Sequence, residues 1–496
     1  APFSVKYAWP IAAVLAARFF ASALVFPPGD GDLFWQRWLG ATILRTGHIP
    51  RALGPQAFAA PGAPWTPQEW LFSIAASLAR SGLAWDVFAA ALALAPIAAL
   101  LLAAARAEKR GASPRAIAFG MTCAGIALLE SFGVRAQVAA WPLLALFLLL
   151  LEWDGALAYA AIAVAALWSN VHASAMLAPV LAAIFAGGAL LDDGGWSPRA
   201  RRRALVALGS LAAICCNPFG WGLPLYAVSL FGSSITHYIE EWRPSTLGDP
   251  AFAFGVLPLA LGAILAAPRD GRRGLCDSLV LAVFGYLALF EVRNVPIFAL
   301  VAFPIVAERL TRSVPFFAGA PAAASSASGA RPWRARFAGV AVTSFALAVT
   351  LGVGVRLAAL APPTSGANGA PAIAAIRRLP GTHRVFCANF AWCGALIGYR
   401  NLGVFIDGRA DPYPPRVWRE YVGVVRLAPG WEEVLRSQAV DTVVVSRGSA
   451  LDQALRLGGG WQPMTTGNYR VWLRAPVRAA LRGLQARDAN HLIGRA

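Results

Sequence analysis

The chain has 496 residues, 58% of them hydrophobic and only 14% charged, with a mean hydropathy of +0.57. That profile excludes an ordinary soluble domain, in which about a quarter of the residues are charged. The net charge of +18 raises nucleic acid as a partner, but the arginines fall in short loops between apolar runs and form no basic stripe with exposed aromatics, so nucleic acid is set aside.

From the first residues to about 360, apolar runs of roughly 16 to 25 residues recur, each long enough to cross a hydrocarbon core of about 30 Å as a helix. Spans are predicted near 7–26, 84–105, 115–130, 137–151, 156–170, 173–191, 204–216, 251–267, 277–292, 295–309 and 337–358. The first is expected to stay as an anchor, because "FPPGDGD" follows it in place of a small-residue cleavage site. Four arginine clusters lie in the connections: Arg106, Arg110 and Arg115; Arg199, Arg201, Arg202 and Arg203; Arg269, Arg272 and Arg273; and Arg309, Arg312, Arg331, Arg334 and Arg336. With eleven crossings and Lys6 inside, all four fall in the cytoplasm, and whatever follows residue 360 is extracytoplasmic. Residues 312–335, rich in Ala, Ser, Gly and Pro, read as a cytoplasmic linker.

Two long connections then face outward. Residues 27–83 carry "DLFWQRWLGATILRTG" at helical spacing and a Trp-rich "APWTPQEWLFSIAASLARSG", both suited to the headgroup level. Residues 217–250 are a second aromatic, amphipathic stretch. Over 361–496 the apolar runs shorten: "HRVFCANF", "LGVFID" and "DTVVVS" read as strands, "PPRVWREYVGVV" and "GWEEVLRSQAV" as helices, and "GWQPMTTGNYRVWLR" as a closing hairpin. The expected class is an α-helical polytopic membrane protein, with its transmembrane module over 1–360 and a small extracytoplasmic α/β domain over 361–496.

Ionisable residues next to hydrocarbon are expensive unless paired or wet, so those at the outer span ends are informative. On that side lie Asp30, Asp32, Glu69, Arg135, Asn170, His172, His237, Glu240, Glu241, Arg293 and Asn294. Each has a structural alternative. Asp30 suits a helix N-cap, Asp32 a helix N-terminus, Arg135 and Arg293 the outer headgroups, and His172 hydrogen-bonded packing. Two arginines in short outer loops nevertheless oppose the positive-inside bias, which favours an anionic partner such as a lipid phosphate. In "FIDGRADPYPPRVW", Asp407 and Arg409 follow a strand and fit either a ligand loop or a surface turn closed by its own ion pair. Cys387 and Cys393 are close enough in sequence for a disulfide in an oxidising compartment, while the other four cysteines sit in apolar spans. No zinc pattern, P-loop, GxSxG or dinucleotide fingerprint occurs.

"GDGDLFWQRWLGATILRTGHIPR" followed by "APWTPQEWL" resembles the first extracytoplasmic loop of bacterial multi-spanning proteins related to the GT-C glycosyltransferases. "VRAQVAAWPLLALFLLLLE", "ALWSNVHASAML", "YIEEWRP", "RNVPIFALVAFPIVA" and "VFIDGRADPYPPRVWREY" extend the resemblance along most of the chain. It implies a lipid-phosphate-linked sugar donor and a loop aspartate as general base. In the mannosyl- and aminoarabinosyl-transferase branch that aspartate lies fifteen residues before a Gly, a step matched here by Asp32 and Gly47. The branch's Asp-Glu pair is replaced by Asp32-Leu33, and Ala391 stands where related chains often carry an acid.

The resulting expectation is an inverting transferase at the outer face of the bacterial cytoplasmic membrane, moving a sugar from a polyprenyl-phosphate donor to a hydroxyl of a glycan, lipid or protein. Asp32 is the expected base, with Asp30 and Glu69 orienting the acceptor or Asp30 and Asp32 holding a divalent metal (Mg or Mn) through oxygen ligands. Arg135, His172, Arg293 and Asn294 are the expected donor-side residues, and Asp407 and Arg409 join the acceptor side if they lie over the first loop. The alternatives are a non-catalytic scaffold whose exported domain binds a partner, or a transporter of lipid-linked saccharide. Against transport, the chain has no inverted repeat.

Overall fold

The computed structural model describes residues 11–16, 18–19, 31–79, 81–230, 233, 235, 238–266, 274–318 and 370–474. The expected last span, 337–358, Asp30 and His237 lie outside them. The chain divides into two units, one of Ala1–Phe26 with Ala79–Leu360 and one of Pro27–Leu78 with Ala361–Ala496.

In chain order the helices are α1 (Asp32–Thr46) and α2 (Trp70–Leu78), then α3 (Gly82–Lys109), α4 (Pro114–Glu130), α5 (Ala136–Leu151), α6 (Ala160–Val171), α7 (Leu177–Asp192), α8 (Pro198–Ala213), α9 (Gly222–Leu230), α10 (Leu257–Leu265), α11 (Leu275–Phe290) and α12 (Val295–Ser313). After them come α13 (Ala370–Arg377), α14 (Phe390–Cys393), α15 (Pro415–Val425), α16 (Trp431–Ser437) and α17 (Ala450–Leu457).

The first unit is a helical bundle around one apolar core that runs from Ile11 to Leu310. Its helices begin where the chemistry permits. Ser113 and Ser197 each cap a helix by accepting the N–H three residues on, and each is followed by a proline whose missing N–H is harmless at that position. Small residues bring the helices close. A Cβ at Gly120 would lie 2.2 Å from the Phe303 ring, so α4 and α12 meet at a contact that only glycine allows. Three segments are long and apolar enough to cross a membrane: Gly82–Lys109, Ala173–Asp192 and Val292–Ser313. Ala136–Leu151, Ala156–Val171, Ala251–Leu265 and Leu275–Phe290 are apolar but shorter, below the about 20 residues of a full crossing. Three of the eleven crossings expected from hydropathy thus correspond, among the described residues, to helices of full crossing length.

One end of this bundle is tied by buried charge. Arg106, wholly buried, and Arg110 at the end of α3 meet Glu152 beyond α5, at 3.1 and 2.8 Å. Arg110 also pairs with Asp277 of α11 and, through Nε at 2.7 Å, with Glu308 of α12. Arg203 of α8 lies 3.5 Å from the same Glu152. Two of the four arginine clusters supply these cations, and Arg312 of a third reaches Glu308 at 2.7 Å, so carboxylates neutralise all of them at this end.

The second unit is built on a five-stranded sheet: β1 (His383–Cys387), β2 (Leu402–Val404), β3 (Thr442–Ser446), β4 (Trp461–Thr466) and β5 (Tyr469–Arg474), in the order β2-β1-β3-β5-β4. β1 is parallel to β2 and β3, with Val385 opposite Val404 and Phe386 opposite Val443, while β3-β5 and β5-β4 are antiparallel. Residues 27–78, read in sequence as a loop of the membrane module, belong to this unit because α1 supplies part of its core. Trp35, Leu39 and Ile43, spaced by four on one helix face, are buried with Val385, Val404, Val444 and Leu473. The same segment covers the sheet edge: Val404 donates to Gln56 O at 2.7 Å and Phe58 to Val404 O at 3.1 Å, leaving β2 no open flank at that point.

Candidate functional site

Helix α1 positions the first candidate. Gly31 precedes it without a side-chain cap, and Gly47 ends it in the left-handed conformation at φ 70°, donating its N–H to Ile43 O. Asp32 is thus the first helical residue, its carboxylate near the positive end of the helix, and the fifteen-residue step to Gly47 is the helix itself. Trp35, one turn on, donates its indole N–H to Asp32 Oδ1 at 3.1 Å.

Three further segments converge here. Glu69, ahead of α2, accepts from the buried Gln36 side chain, and Gln68 donates to its other oxygen at 3.3 Å. The loop after β2 presses against Asp32: a Cβ at Gly408 would lie 3.3 Å from Asp32 Oδ1 and 3.2 Å from the Trp35 ring. Ala391 of α14 meets Gly31, where an added Cβ would lie 2.4 Å from the Ala391 Cβ. Ala391 is therefore adjacent to the start of α1.

Asp407 and Arg409 do not form a surface turn; they are 0% and 4% exposed. Asp407 Oδ1 accepts from Arg409 Nε at 2.8 Å and from its backbone N–H at 3.0 Å, while Oδ2 accepts from Arg409 Nη2 at 2.5 Å and Tyr413 Oη at 2.7 Å. Both oxygens are occupied from within the chain, so this carboxylate anchors the loop rather than meeting a ligand directly. Burial alone would raise the Asp407 pKa, but the Arg409 guanidinium and these donors hold it below the usual carboxylate range. The Arg409 guanidinium stacks 5.4 Å from the Trp38 ring centroid and 5.0 Å from that of Trp65. Asp32, Glu69, Asp407 and Arg409 thus share one neighbourhood, lined by Trp35, Trp38 and Trp65.

The expected metal pair is represented among the described residues by Asp32 alone. No group of three His, Cys, Asp or Glu side chains suited to a metal occurs among them.

A second cluster lies within the helical unit. Arg135, just before α5, is ion-paired to Glu241. The Arg293 guanidinium lies 4.3 Å from the Trp242 ring centroid, next to that glutamate. His172, between α6 and α7, is buried; its Nδ1 accepts the Ser174 N–H at 3.1 Å, which leaves the proton on Nε2. Burial first, then the charges of Arg293 and Arg135, push the imidazole down to about 3, so it is neutral at physiological pH. Glu241 is held below its usual value by Arg135 and Arg293 against the opposing effect of burial. Asn294 is turned inward, donating to Glu291 Oε2 at 2.9 Å and Leu287 O at 3.3 Å. Because Arg135 and Glu152 flank the two ends of α5 (Ala136–Leu151), and Arg293 precedes α12 (Val295–Ser313) while Glu308 lies in its last two turns, this cluster and the buried ion network occupy opposite ends of the same helices.

Cys387, the last residue of β1, and Cys393 of α14 form a disulfide, both sulfurs withdrawn from solvent. It closes the turn that brings Ala391 to Gly31. Sequence reasoning missed Trp35, Gln36 and Tyr413 as supports. Trp35 and Gln36 lie three and four residues after Asp32 on a helix, which was the available signal.

The chain is similar in fold to solved archaeal oligosaccharyltransferases. The AglB enzyme from Archaeoglobus fulgidus, in complex with an inhibitory peptide and a dolichol-phosphate, superposes with a TM-score of 0.58 at 14% identity, over 95% of this chain and 75% of that one. The Archaeoglobus fulgidus oligosaccharyltransferase tethered to an acceptor peptide with the NVT sequon gives 0.57 at 15% identity, over 95% and 74%. Its complex with zinc and sulfate gives 0.51 at 13%, over 92% and 73%. No protein-family model matches the chain, and no curated protein does.

Proposed function

We propose that this chain is a membrane glycosyltransferase that moves a sugar from a polyprenyl-phosphate-linked donor to an acceptor hydroxyl at the outer face of the bacterial cytoplasmic membrane. The observation that carries the reading is the seating of Asp32. An acid at the first residue of α1 is fixed by Trp35 and flanked by the buried Asp407–Arg409 loop, in a chain whose fold resembles enzymes solved with a lipid phosphate and with an acceptor peptide.

In this reading Asp32 accepts the proton of the acceptor hydroxyl as its oxygen attacks the anomeric carbon. The bond from that carbon to the phosphate oxygen breaks, polyprenyl phosphate leaves, and the configuration inverts. Glu69 and Gln36 orient the acceptor, and Arg409, held rigid by Asp407, presents its remaining N–H groups to sugar or acceptor oxygens. Within the helical unit, Arg135 and Arg293 are the candidate partners of a lipid phosphate, with the Nε2–H of His172 as a neutral donor beside them.

The test is Asp32→Asn in the native host, read as surface glycan and as the pool of lipid-linked sugar. The expected result is loss of glycan by about 10²-fold or more, with lipid-linked donor accumulating. Normal glycan from a correctly inserted, well-expressed variant would overturn the assignment.

A further inference from the structure

A pocket of about 210 Å³ opens in the second unit between α16, α17 and the start of β4, lined by Trp431, Glu432, Trp461, Arg474 and the glycines 458–460. It shares no residue with the Asp32–Arg409 neighbourhood. It sits at β4, one edge of the sheet, whereas Asp407 follows β2 at the other edge, four strand spacings or about 19 Å across.

The pocket is built rather than incidental. Gly459 and Gly460 are both left-handed, at φ 69° and 70°, so the loop entering β4 turns without side chains and leaves the cavity open. Gly458 lets the Glu432 carboxylate lie against this loop, since a Cβ there would be 3.3 Å from Glu432 Oε1. Arg474 stacks its guanidinium 5.1 Å from the Trp461 ring centroid, and its buried Nε has no hydrogen-bond partner among the described residues. Arg436, also at the rim, is satisfied by Glu433.

We propose that this pocket binds one pyranose ring of a glycan. Trp431 and Trp461 line the pocket, and an indole complements the C–H face of a sugar ring. Glu432 is an acceptor only and Arg474 a donor only, the pairing that sugar hydroxyls, which both give and take hydrogen bonds, can satisfy together. The two charges cancel and Arg436 is neutralised by Glu433, so the pocket selects a neutral sugar over a phosphate or a uronate. Its volume lies below the roughly 300–1,000 Å³ of sites for larger ligands, which suits a single ring. The assignment does not draw on the transfer reading.

The experiment uses the full chain in lipid nanodiscs on an array of neutral, uronic-acid and phosphorylated oligosaccharides, followed by calorimetry with the best neutral one. Binding of neutral oligosaccharides is expected, weakened at least tenfold by Trp461→Ala and by Glu432→Gln. Glu432→Gln lies on an exposed helix face and tests the site without disturbing the sheet. Asp32→Asn leaves this binding unchanged, so the two readings fail separately. No retention of any oligosaccharide by the folded wild type, a preference for the acidic or phosphorylated ones, or wild-type affinity in both pocket variants would overturn the proposal.

Discussion

Asp407 grips Arg409 two residues away through a two-pronged ion pair, Oδ1 to Nε at 2.8 Å and Oδ2 to Nη2 at 2.5 Å, with both side chains withdrawn from solvent. Removing one partner of such a pair strands a buried charge, which typically costs about 3–5 kcal/mol. Asp407→Asn is therefore expected to destabilise the second unit strongly, as a large drop in thermal midpoint. Asp407→Asn combined with Arg409→Met, which leaves no charge behind, should recover a good part of it. A double variant no better than the single one would count against this account.

Gly408 tests whether the loop positions Asp32. A methyl group there would approach the Trp35 ring to 3.2 Å and Asp32 Oδ1 to 3.3 Å, tighter than ordinary contact. Gly408→Ala is expected to lower transfer by roughly 10- to 100-fold through misplacement of the carboxylate, while the thermal midpoint moves by only a few degrees. Unchanged kcat would show that Asp32 tolerates the displacement or does no chemistry.

His383 gives a pH dependence. The Asp441 carboxylate, whose Oδ2 lies 3.3 Å from Nδ1, raises the imidazole above its ordinary value, against the opposing effect of burial. A raised folded-state pKa means that the contribution is complete below the unfolded value of about 6.5 and is lost as pH rises through the higher folded value. Thermal midpoints from pH 5.5 to 9 should fall with rising pH in the wild type more than in His383→Gln. Parallel curves would remove His383 from the explanation.

Glu152 sits among three arginines, at 3.1 Å from Arg106, 2.8 Å from Arg110 and 3.5 Å from Arg203. Glu152→Gln leaves buried cations short of a counter-charge and is expected to destabilise the bundle by about 3–5 kcal/mol. The measurement is thermal unfolding of detergent-purified protein beside Arg312→Gln, whose exposed guanidinium is a second partner of Glu308 besides Arg110 and should contribute under about 1 kcal/mol. Equal losses from the two would contradict the burial argument.

The strands of the second unit were legible in the sequence because "HRVFC", "TVVVS" and "YRVWLR" are short β-branched or aromatic runs between turn residues. The start of α1 at Asp32 and its stop at Gly47 were readable for the same kind of local reason.

The membership of α1 was not legible. Trp35, Leu39 and Ile43 make a stripe that fits a lipid interface as well as a sheet, and the choice depends on strands more than 330 residues away. The partners of the arginine clusters were illegible for a related reason. Read locally they mark sidedness, but Arg106 finds Glu152 46 residues on, and Arg110 finds Asp277 after 167. Buried pairing of that range leaves no local pattern. The Asp407–Arg409 spacing of two reads equally as an exposed turn, and only burial distinguishes the cases.

The buried network at Glu152 has a mechanical consequence. It fastens the ends of α3, α8, α11 and α12 to one carboxylate-rich knot, whereas about 24 Å away, at the far end of the 16-residue α5, the Arg135–Glu241 pair is part-exposed. Helix ends that share one carboxylate leave little freedom for independent movement there, so a change in any one of them is passed to the others.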